Sequence, residues 1–168
     1  CGTVAGRAGD NPPTGGTDDD TFSWNVGDGG DAINGGFEGA GGDTLVVNGN
    51  GDDEVFGIYT YDEAVARLGY AGDDEVEIIV TRHTGADAPV IIAELTDIEE
   101  VLVNAGEGSN QTQMFGDFSL TSLRPDTITV IGSAGNDTVN LSSLLSAHHI
   151  VFRTGGGNDT IIGALRPQ

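Results

Sequence analysis

Seven short segments of this chain place an aspartate in a glycine-rich stretch just before an apolar residue, and this arrangement could bind a metal ion. Six of them read Gly-x-Asp-x-apolar, and the seventh, within residues 15–22, is weaker. The candidate ligands are the aspartates Asp20, Asp31, Asp43, Asp53, Asp74, Asp137 and Asp159, with the turn glycines Gly29, Gly51, Gly72, Gly135 and Gly157. Glycine turns expose main-chain carbonyl oxygens beside the carboxylates, so each segment offers a cluster of hard oxygen ligands.

Calcium is the metal that such a cluster favours, because it accepts six to eight oxygen ligands in flexible geometry. Magnesium requires a stricter octahedron and retains its water. Zinc and copper prefer histidine or thiolate, and the three histidines, His83, His148 and His149, do not follow the spacing of the aspartates. We therefore expect several calcium ions.

The spacing of the aspartates predicts a repeating fold. Asp53 follows Asp31 by 22 residues, Asp74 follows Asp53 by 21, and Asp159 follows Asp137 by 22. Asp97 and Asp117 fill the gap between Asp74 and Asp137 at similar steps, and a second series, which includes Asp20, Asp43 and Asp126, falls halfway between. These intervals predict an all-β solenoid of about 21 residues per coil, with one aspartate series along each edge.

The segments between the turns have the composition of short parallel strands. They are rich in β-branched residues and cover 45–47, 75–80, 90–92, 101–103, 127–131, 150–152 and 161–162. Residues 62–68 instead carry helix-forming residues, with acids first and a glycine next, which predicts one short helical insertion. We interpret residues 1–13 as a linker or mobile N-terminal cap, and 14–168 as one domain, a fragment of a larger protein.

Composition excludes two classes of partner. The 168 residues include 27 acids and only 6 basic residues, for a net charge of −21, so no basic surface exists for nucleic acid. No segment approaches the ~20 apolar residues that cross a bilayer, which argues against membrane insertion.

The copies at residues 48–56 and 154–162 resemble the nonapeptide Gly-Gly-x-Gly-x-Asp-x-apolar-x of RTX, or hemolysin-type, calcium-binding repeats. The resemblance implies a right-handed parallel β-roll with calcium between successive turns, in a secreted, extracellular bacterial protein. The stretch from Gly116 to Gln168 is also similar to repeat regions attached to secreted animal-type haem peroxidases. The implied role is calcium-dependent folding and stability beside neighbouring domains, with no catalytic activity of its own.

Other interpretations stay open. The aspartates could be ordinary turn residues, and this is the favoured interpretation for Asp97, Asp117 and Asp126, which lack the preceding Gly-x. An extracellular adhesin or glycan-binding segment is the alternative function. It would need an exposed aromatic platform, for which the candidates are Trp24, Tyr59, Tyr61 and Tyr70.

Overall fold

The computed structural model describes residues 2–5, 13–37 and 40–164, which form two β-sheets and one short α-helix. In chain order the elements are β1 (Thr3–Ala5), β2 (Thr21–Asn25), β3 (Asp31–Asn34), β4 (Thr44–Asn48), β5 (Glu54–Thr60), α1 (Tyr61–Leu68), β6 (Ile78–Thr84), β7 (Val90–Thr96), β8 (Glu100–Asn104), β9 (Gln111–Gly116), β10 (Ile128–Ile131), β11 (Thr138–Leu144), β12 (Ile150–Arg153) and β13 (Thr160–Ile162). A 3₁₀ helix covers Phe118–Leu120, between β9 and β10.

The six-stranded sheet is entirely parallel, in the order β1-β2-β4-β8-β10-β12. The seven-stranded sheet is mixed, in the order β13-β11-β9-β5-β6-β7-β3. Its strands pair in parallel except around β6, which runs antiparallel to both β5 and β7. The strand expectation is thus largely confirmed, and the protein is mostly β.

The expected right-handed parallel β-roll, with its constant coil length, is wrong. Along the six-stranded sheet the neighbouring positions are Val4, Phe22, Leu45, Val101, Ile128 and Ile150. The sequence separation between neighbours is uneven, and it more than doubles from the pair Phe22 and Leu45 to the pair Leu45 and Val101. No constant repeat therefore runs through the described strands. The antiparallel pairing of β5 with β6 also breaks the uniform strand direction that a parallel roll requires.

The regular series of parallel strands is interrupted by α1 and the segment that follows it. The predicted helical insertion at 62–68 is confirmed as Tyr61–Leu68, with Asp62 and Glu63 in its first turn. It ends at Gly69, whose φ of 68° is left-handed and cheap only for a residue without a side chain. The chain then turns back, so that β6 returns along β5 instead of starting a new parallel coil.

The core lies between the two sheets. Phe22, Leu45 and Val101 project from the six-stranded sheet and Phe56 and Met114 from the seven-stranded one, all at most 1 % exposed and in one apolar cluster. A smaller cluster under α1 combines Tyr59, Ala64, Tyr70, Val76 and Ile79. The inward alternation along β2, β4 and β8 in one sheet and β9 in the other thus holds the two sheets face to face.

The segment expected to be a linker contains β1, which pairs with β2 from Thr3 to Ala5. Cys1 and residues 6–12 of that segment lie outside the described residues, as do 38–39 and 165–168 of the expected domain.

Candidate functional site

Acidic residues form a row along the starts of three parallel strands in the six-stranded sheet. Asp20, Asp43 and Glu99 each precede the first residue of β2, β4 and β8, and we call them the first row. The main-chain N–H of Asp20 donates to Asp43 Oδ1 at 2.6 Å, and that of Asp43 donates to Glu99 Oε2 at 2.6 Å. Each acid thereby binds the backbone of the strand before it.

A second row runs along the seven-stranded sheet. Its members are Glu54, Asn110, Asp137 and Asp159, which lie at or just before the starts of β5, β9, β11 and β13. The N–H of Glu54 donates to Asn110 Oδ1, that of Asn110 to Asp137 Oδ1, and that of Asp137 to Asp159 Oδ1, each at 2.9 Å. Asp137 and Asp159, which are 22 residues apart in sequence, are therefore neighbours in space, and Thr138 likewise pairs with Thr160.

Some row members also bind the turn that leads into their own strand. Asp137 Oδ2 accepts from the N–H of Ser133 at 2.7 Å, four residues back. Asp20 Oδ2 likewise accepts from the N–H of Gly16 at 2.9 Å, and Asp20 Oδ1 accepts from the N–H of Gly2, just before β1, at 2.7 Å. One carboxylate therefore satisfies two main-chain donors at the entry to a strand, where the sheet provides no carbonyl for them.

These hydrogen bonds stabilise the charged form of the carboxylate. The pKa of Asp20 is lowered, chiefly by the N–H of Gly16 and then by that of Gly2, against the opposing effect of burial. Most row members are buried even so: Asp43 and Glu54 are fully inaccessible and Asp137 is only 2 % exposed, whereas Asp159 is half-buried. Buried carboxylates are tolerated only with such partners.

Glu54 has a cationic partner as well. The Arg82 Nε donates to Glu54 Oε1, and Asn50 N–H donates to Oε2 at 2.8 Å. Arg82 lies on β6, which pairs antiparallel with β5. Its side chain donates to the Glu54 carboxylate at the position where the carboxyl or amide oxygen of the other row members accepts an N–H from a parallel strand. Antiparallel pairing thus ends the second row at Glu54.

The structure separates the predicted aspartates into two groups. Asp20, Asp31, Asp43 and Asp137 are buried, whereas Asp53 and Asp74 are exposed and Asp159 is half-buried. Asp53 Oδ1 accepts from the N–H of Ser109 at 2.7 Å. Asp31 begins β3, an edge strand of the seven-stranded sheet, and pairs with Ala93 of β7. Asp53 lies just before β5, and β6 and β7 separate β5 from β3 in the sheet.

The predicted glycines fall into different environments. A Cβ on Gly135 would lie 1.8 Å from the carbonyl oxygen of Gly108, and a Cβ on Gly157 would lie 2.0 Å from that of Gly135. These two glycines allow successive turns to stack in contact. Gly29 offers its carbonyl to Trp24 Nε1 at 2.9 Å, Gly72 packs against the ring of Tyr70, and Gly51 faces open space.

No group of three or more histidine, cysteine, aspartate or glutamate residues in the described ranges is arranged to hold a metal ion. Comparisons with protein-family models, with curated proteins and with solved structures return no match. Any function assigned to this chain therefore depends on the geometry of the two rows.

Three row members escaped the sequence argument: Glu54, Glu99 and Asn110. None of the three stands at the aspartate position of a Gly-x-Asp segment, yet in the structure the oxygen of a glutamate or an asparagine takes the row position as well as that of an aspartate. The usable signal is a carboxyl or amide residue two positions before a buried strand residue, as in Glu99 before Val101 and Glu54 before Phe56.

The remaining sequence candidates have local roles. Asp97 adopts a φ of 51° in a turn, Asp117 accepts from Ser119 N–H at the start of the 3₁₀ helix, and Asp126 contacts His149 at 2.6 Å on the surface. The hydroxyl of Ser119 and its N–H lower the pKa of Asp117. Buried His148 bridges Ser146 Oγ and the carbonyl of Leu123.

The aromatic residues considered for glycan binding do not form an exposed platform. Trp24, Tyr59 and Tyr70 are at most 9 % exposed, and Tyr61 packs against the cluster under α1. Burial and the hydrogen bond to Glu94 raise the pKa of Tyr70, so its hydroxyl remains a donor. No helix in the described ranges has the length and apolar character to span a membrane.

Proposed function

We propose that this chain is a non-catalytic structural module that stabilises a larger secreted bacterial protein and gains stability from calcium. The observation that carries the proposal is the pair of rows, in which carboxylates on successive strands bind main-chain N–H groups. This arrangement uses acidic residues to hold strands together. Substrate chemistry would instead need reactive groups that converge on an open pocket.

Charge supports the calcium part of the proposal. Asp137 and Asp159 immediately precede β11 and β13, which are paired neighbours, and neighbouring strands of a sheet are about 4.8 Å apart. The chain carries 27 acids against 6 basic residues, so its own cations leave most of this repulsion unbalanced. A bound divalent cation reduces that repulsion in the folded state and so raises the free energy of unfolding.

The exposed carboxylates are the proposed ligands. Both oxygens of Asp20 and of Asp137 already accept main-chain hydrogen bonds, whereas Asp53, Asp74 and Asp159 lie at or near the surface. Calcium accepts carbonyl and water oxygens as readily as carboxylates, so a single carboxylate beside a glycine turn fits a weak site. Extracellular modules bind calcium at about 10⁻⁴–10⁻³ M.

Thermal melts followed by circular dichroism test this function. We expect the Tm to rise with calcium in the millimolar range of such sites, to rise less with magnesium, and to fall in excess chelator. Sodium chloride at matched ionic strength controls for screening. Equal melts in calcium, magnesium and sodium chloride would show that the carboxylates act only as hydrogen-bond acceptors.

One substitution sharpens the test. Asp159→Asn keeps an oxygen for the N–H of Asp137 but removes the charge, so we expect it to reduce the calcium-dependent increase in Tm. Asp126→Asn, at the opposite end of β10 from the turn that leads to Asp137, is the matched control and should leave that increase unchanged. An undiminished calcium effect in Asp159→Asn removes this residue from the site.

A further inference from the structure

Three asparagines of this chain, Asn34, Asn48 and Asn50, are followed directly by glycine. In an Asn-Gly pair the main-chain nitrogen of the glycine can attack the side-chain amide carbon of the asparagine. Glycine favours this reaction because it has no side chain to crowd the nitrogen and its main chain rotates freely. The sequence alone does not distinguish the three pairs.

The structure distinguishes them by the hydrogen bonding of the glycine nitrogen. The N–H of Gly35 donates to the carbonyl of Thr96 at 3.0 Å, and that of Gly49 donates to the carbonyl of Asn104 at 2.8 Å. No acceptor among residues 2–5, 13–37 and 40–164 receives the N–H of Gly51. Gly51 is also exposed, and a Cβ placed on it would meet no heavy atom within 4 Å. Only the third pair therefore has an attacking nitrogen that is free to move.

The side chain of Asn50 makes two hydrogen bonds within the same turn. Asn50 Oδ1 accepts from the N–H of Asp52 at 2.9 Å, and Asn50 Nδ2 donates to Asp52 Oδ2 at 2.8 Å. Negative charge develops on Oδ1 when the Gly51 nitrogen adds to Cγ, and the N–H of Asp52 is already placed to stabilise that charge. The turn thus combines a free nucleophile with a polarised carbonyl.

We propose that Asn50 deamidates spontaneously while Asn34 and Asn48 are protected, and that the product destabilises the fold. The Gly51 nitrogen gives its proton to water and forms a bond to Asn50 Cγ. The bond between Cγ and Nδ2 breaks, and Nδ2 leaves as ammonia with a proton taken from water. The resulting ring is a succinimide. Water opens it at either carbonyl, which gives an aspartyl residue or an isoaspartyl residue whose main chain runs through Cγ.

Both products disturb contacts around the turn. A carboxylate in place of the amide would face Asp52 Oδ2, which now accepts from Nδ2, and the two charges would repel. The N–H of Asn50 donates to Glu54 Oε2 at 2.8 Å, and its carbonyl oxygen lies 2.2 Å from the place that a Cβ on Gly106 would occupy. An isoaspartyl link adds one carbon to the main chain beside these contacts. We therefore expect it to separate this turn from the turn at Gly106, with or without calcium.

Prolonged incubation of the intact protein in heavy-oxygen water, at mildly alkaline pH with chelator, tests the assignment. Oxygen taken up during the incubation labels the converted residue, and digestion in ordinary water followed by tandem mass spectrometry locates it. We expect Asn50 to convert at least about fivefold faster than Asn34 or Asn48, because their glycines must first lose a main-chain hydrogen bond. Conversion of Asn34 or Asn48 as fast as that of Asn50, or no conversion of Asn50, overturns the proposal.

The same incubation in guanidinium chloride separates the effect of the fold from that of the local sequence. The three pairs should then convert at similar rates, because the unfolded chain no longer protects the nitrogens of Gly35 and Gly49. An undiminished preference for Asn50 in the denatured chain overturns the proposal, since the folded turn would not be its cause.

Gly51→Ala is the matched variant, because a Cβ at this position has space but shields the attacking nitrogen. It should lose most of the conversion at Asn50. After equal incubation, circular dichroism should show a lower Tm than in a fresh sample for the original protein and an unchanged Tm for Gly51→Ala. Undiminished conversion in Gly51→Ala, or an equal fall in the Tm of both proteins, overturns the proposal.

Discussion

The main-chain N–H of Asp43 donates a 2.6 Å hydrogen bond to Glu99 Oε2, although the two residues are 56 positions apart in sequence. The bond joins the entries of β4 and β8, between which the chain forms the other sheet's β5, β6 and β7 and the helix α1. Glu99 thus accepts the N–H of Asp43 just as Asp43 accepts the N–H of Asp20, even though a long segment of chain separates Glu99 from Asp43. The row is continuous in space while its residues are far apart in sequence.

Asp137→Ala should destabilise the fold by about 2–4 kcal/mol. It leaves the N–H groups of Asn110 and Ser133 without their acceptor, and each buried unsatisfied donor costs about 1–3 kcal/mol. Asp137→Asn retains one acceptor oxygen and should lose about half as much. Urea denaturation in chelator measures both, and the exposed Asp74→Ala is the control, with an expected change within about 0.5 kcal/mol. Equal effects of Asp137→Ala and Asp74→Ala would contradict this role for Asp137.

Arg82→Met should destabilise the protein by about 3–5 kcal/mol, because it leaves the fully buried Glu54 carboxylate without its cation. Adding Glu54→Gln should recover part of the loss, since the amide oxygen can still accept from Asn50 N–H and carries no charge. The double-mutant cycle by denaturation measures this coupling. Strict additivity of the two substitutions would show that the pair is not energetically coupled.

The lowered pKa of Asp20 predicts a specific acid dependence. Because the folded-state pKa lies below the ordinary value of 3.8, the contribution of Asp20 is fully present above that pH and is lost as pH falls through the folded-state pKa. The stability difference between the original protein and Asp20→Asn should therefore shrink as pH falls from 4 towards about 2. An NMR titration that places the pKa of the Asp20 carboxyl at or above 3.8 would refute the prediction.

Gly135→Ala should cost about 1–3 kcal/mol, because its methyl would clash with the main-chain carbonyl of Gly108, 1.8 Å away. Gly51→Ala is the matched control, since a Cβ there meets no heavy atom within 4 Å. Its main-chain φ is not in the left-handed range, so alanine should be neutral or stabilise by about 0.4–1 kcal/mol. Thermal denaturation distinguishes the two, and a tolerated Gly135→Ala would mean that the turns can separate at low cost.

Local pattern was sufficient to predict much of the secondary structure. The β-branched runs at 101–103 and 150–152 lie in β8 and β12, and the helix at 62–68 is α1. The sequence also indicated that Asp137 and Asp159 are neighbours, because only one strand–turn–strand unit separates them. The spacing of residues in the sequence thus predicts which strands are neighbours where a single strand–turn–strand unit connects them.

Long-range pairing could not be predicted in the same way. The aspartate spacing continues regularly through Asp74 and Asp97, but that part of the chain forms the antiparallel β5–β6–β7 unit. Nothing in the composition of β6 distinguishes antiparallel from parallel pairing, because its inward residues Ile78 and Val80 suit both. Glu99 and Glu54 were missed for a related reason, since their partners are distant in sequence or lie on an antiparallel strand.

The unequal steps between paired strands also set an order of assembly. Closing β11 on β13 joins Asp137 to Asp159, which are 22 residues apart, whereas closing β4 on β8 joins Asp43 to Glu99, which are 56 residues apart. The difference in closure entropy is only about 0.8 kcal/mol, yet the longer closure also waits for α1 and the hairpin that it encloses. We expect the pairing of β11 with β13 to form early in folding and the junction of β4 with β8 to form later.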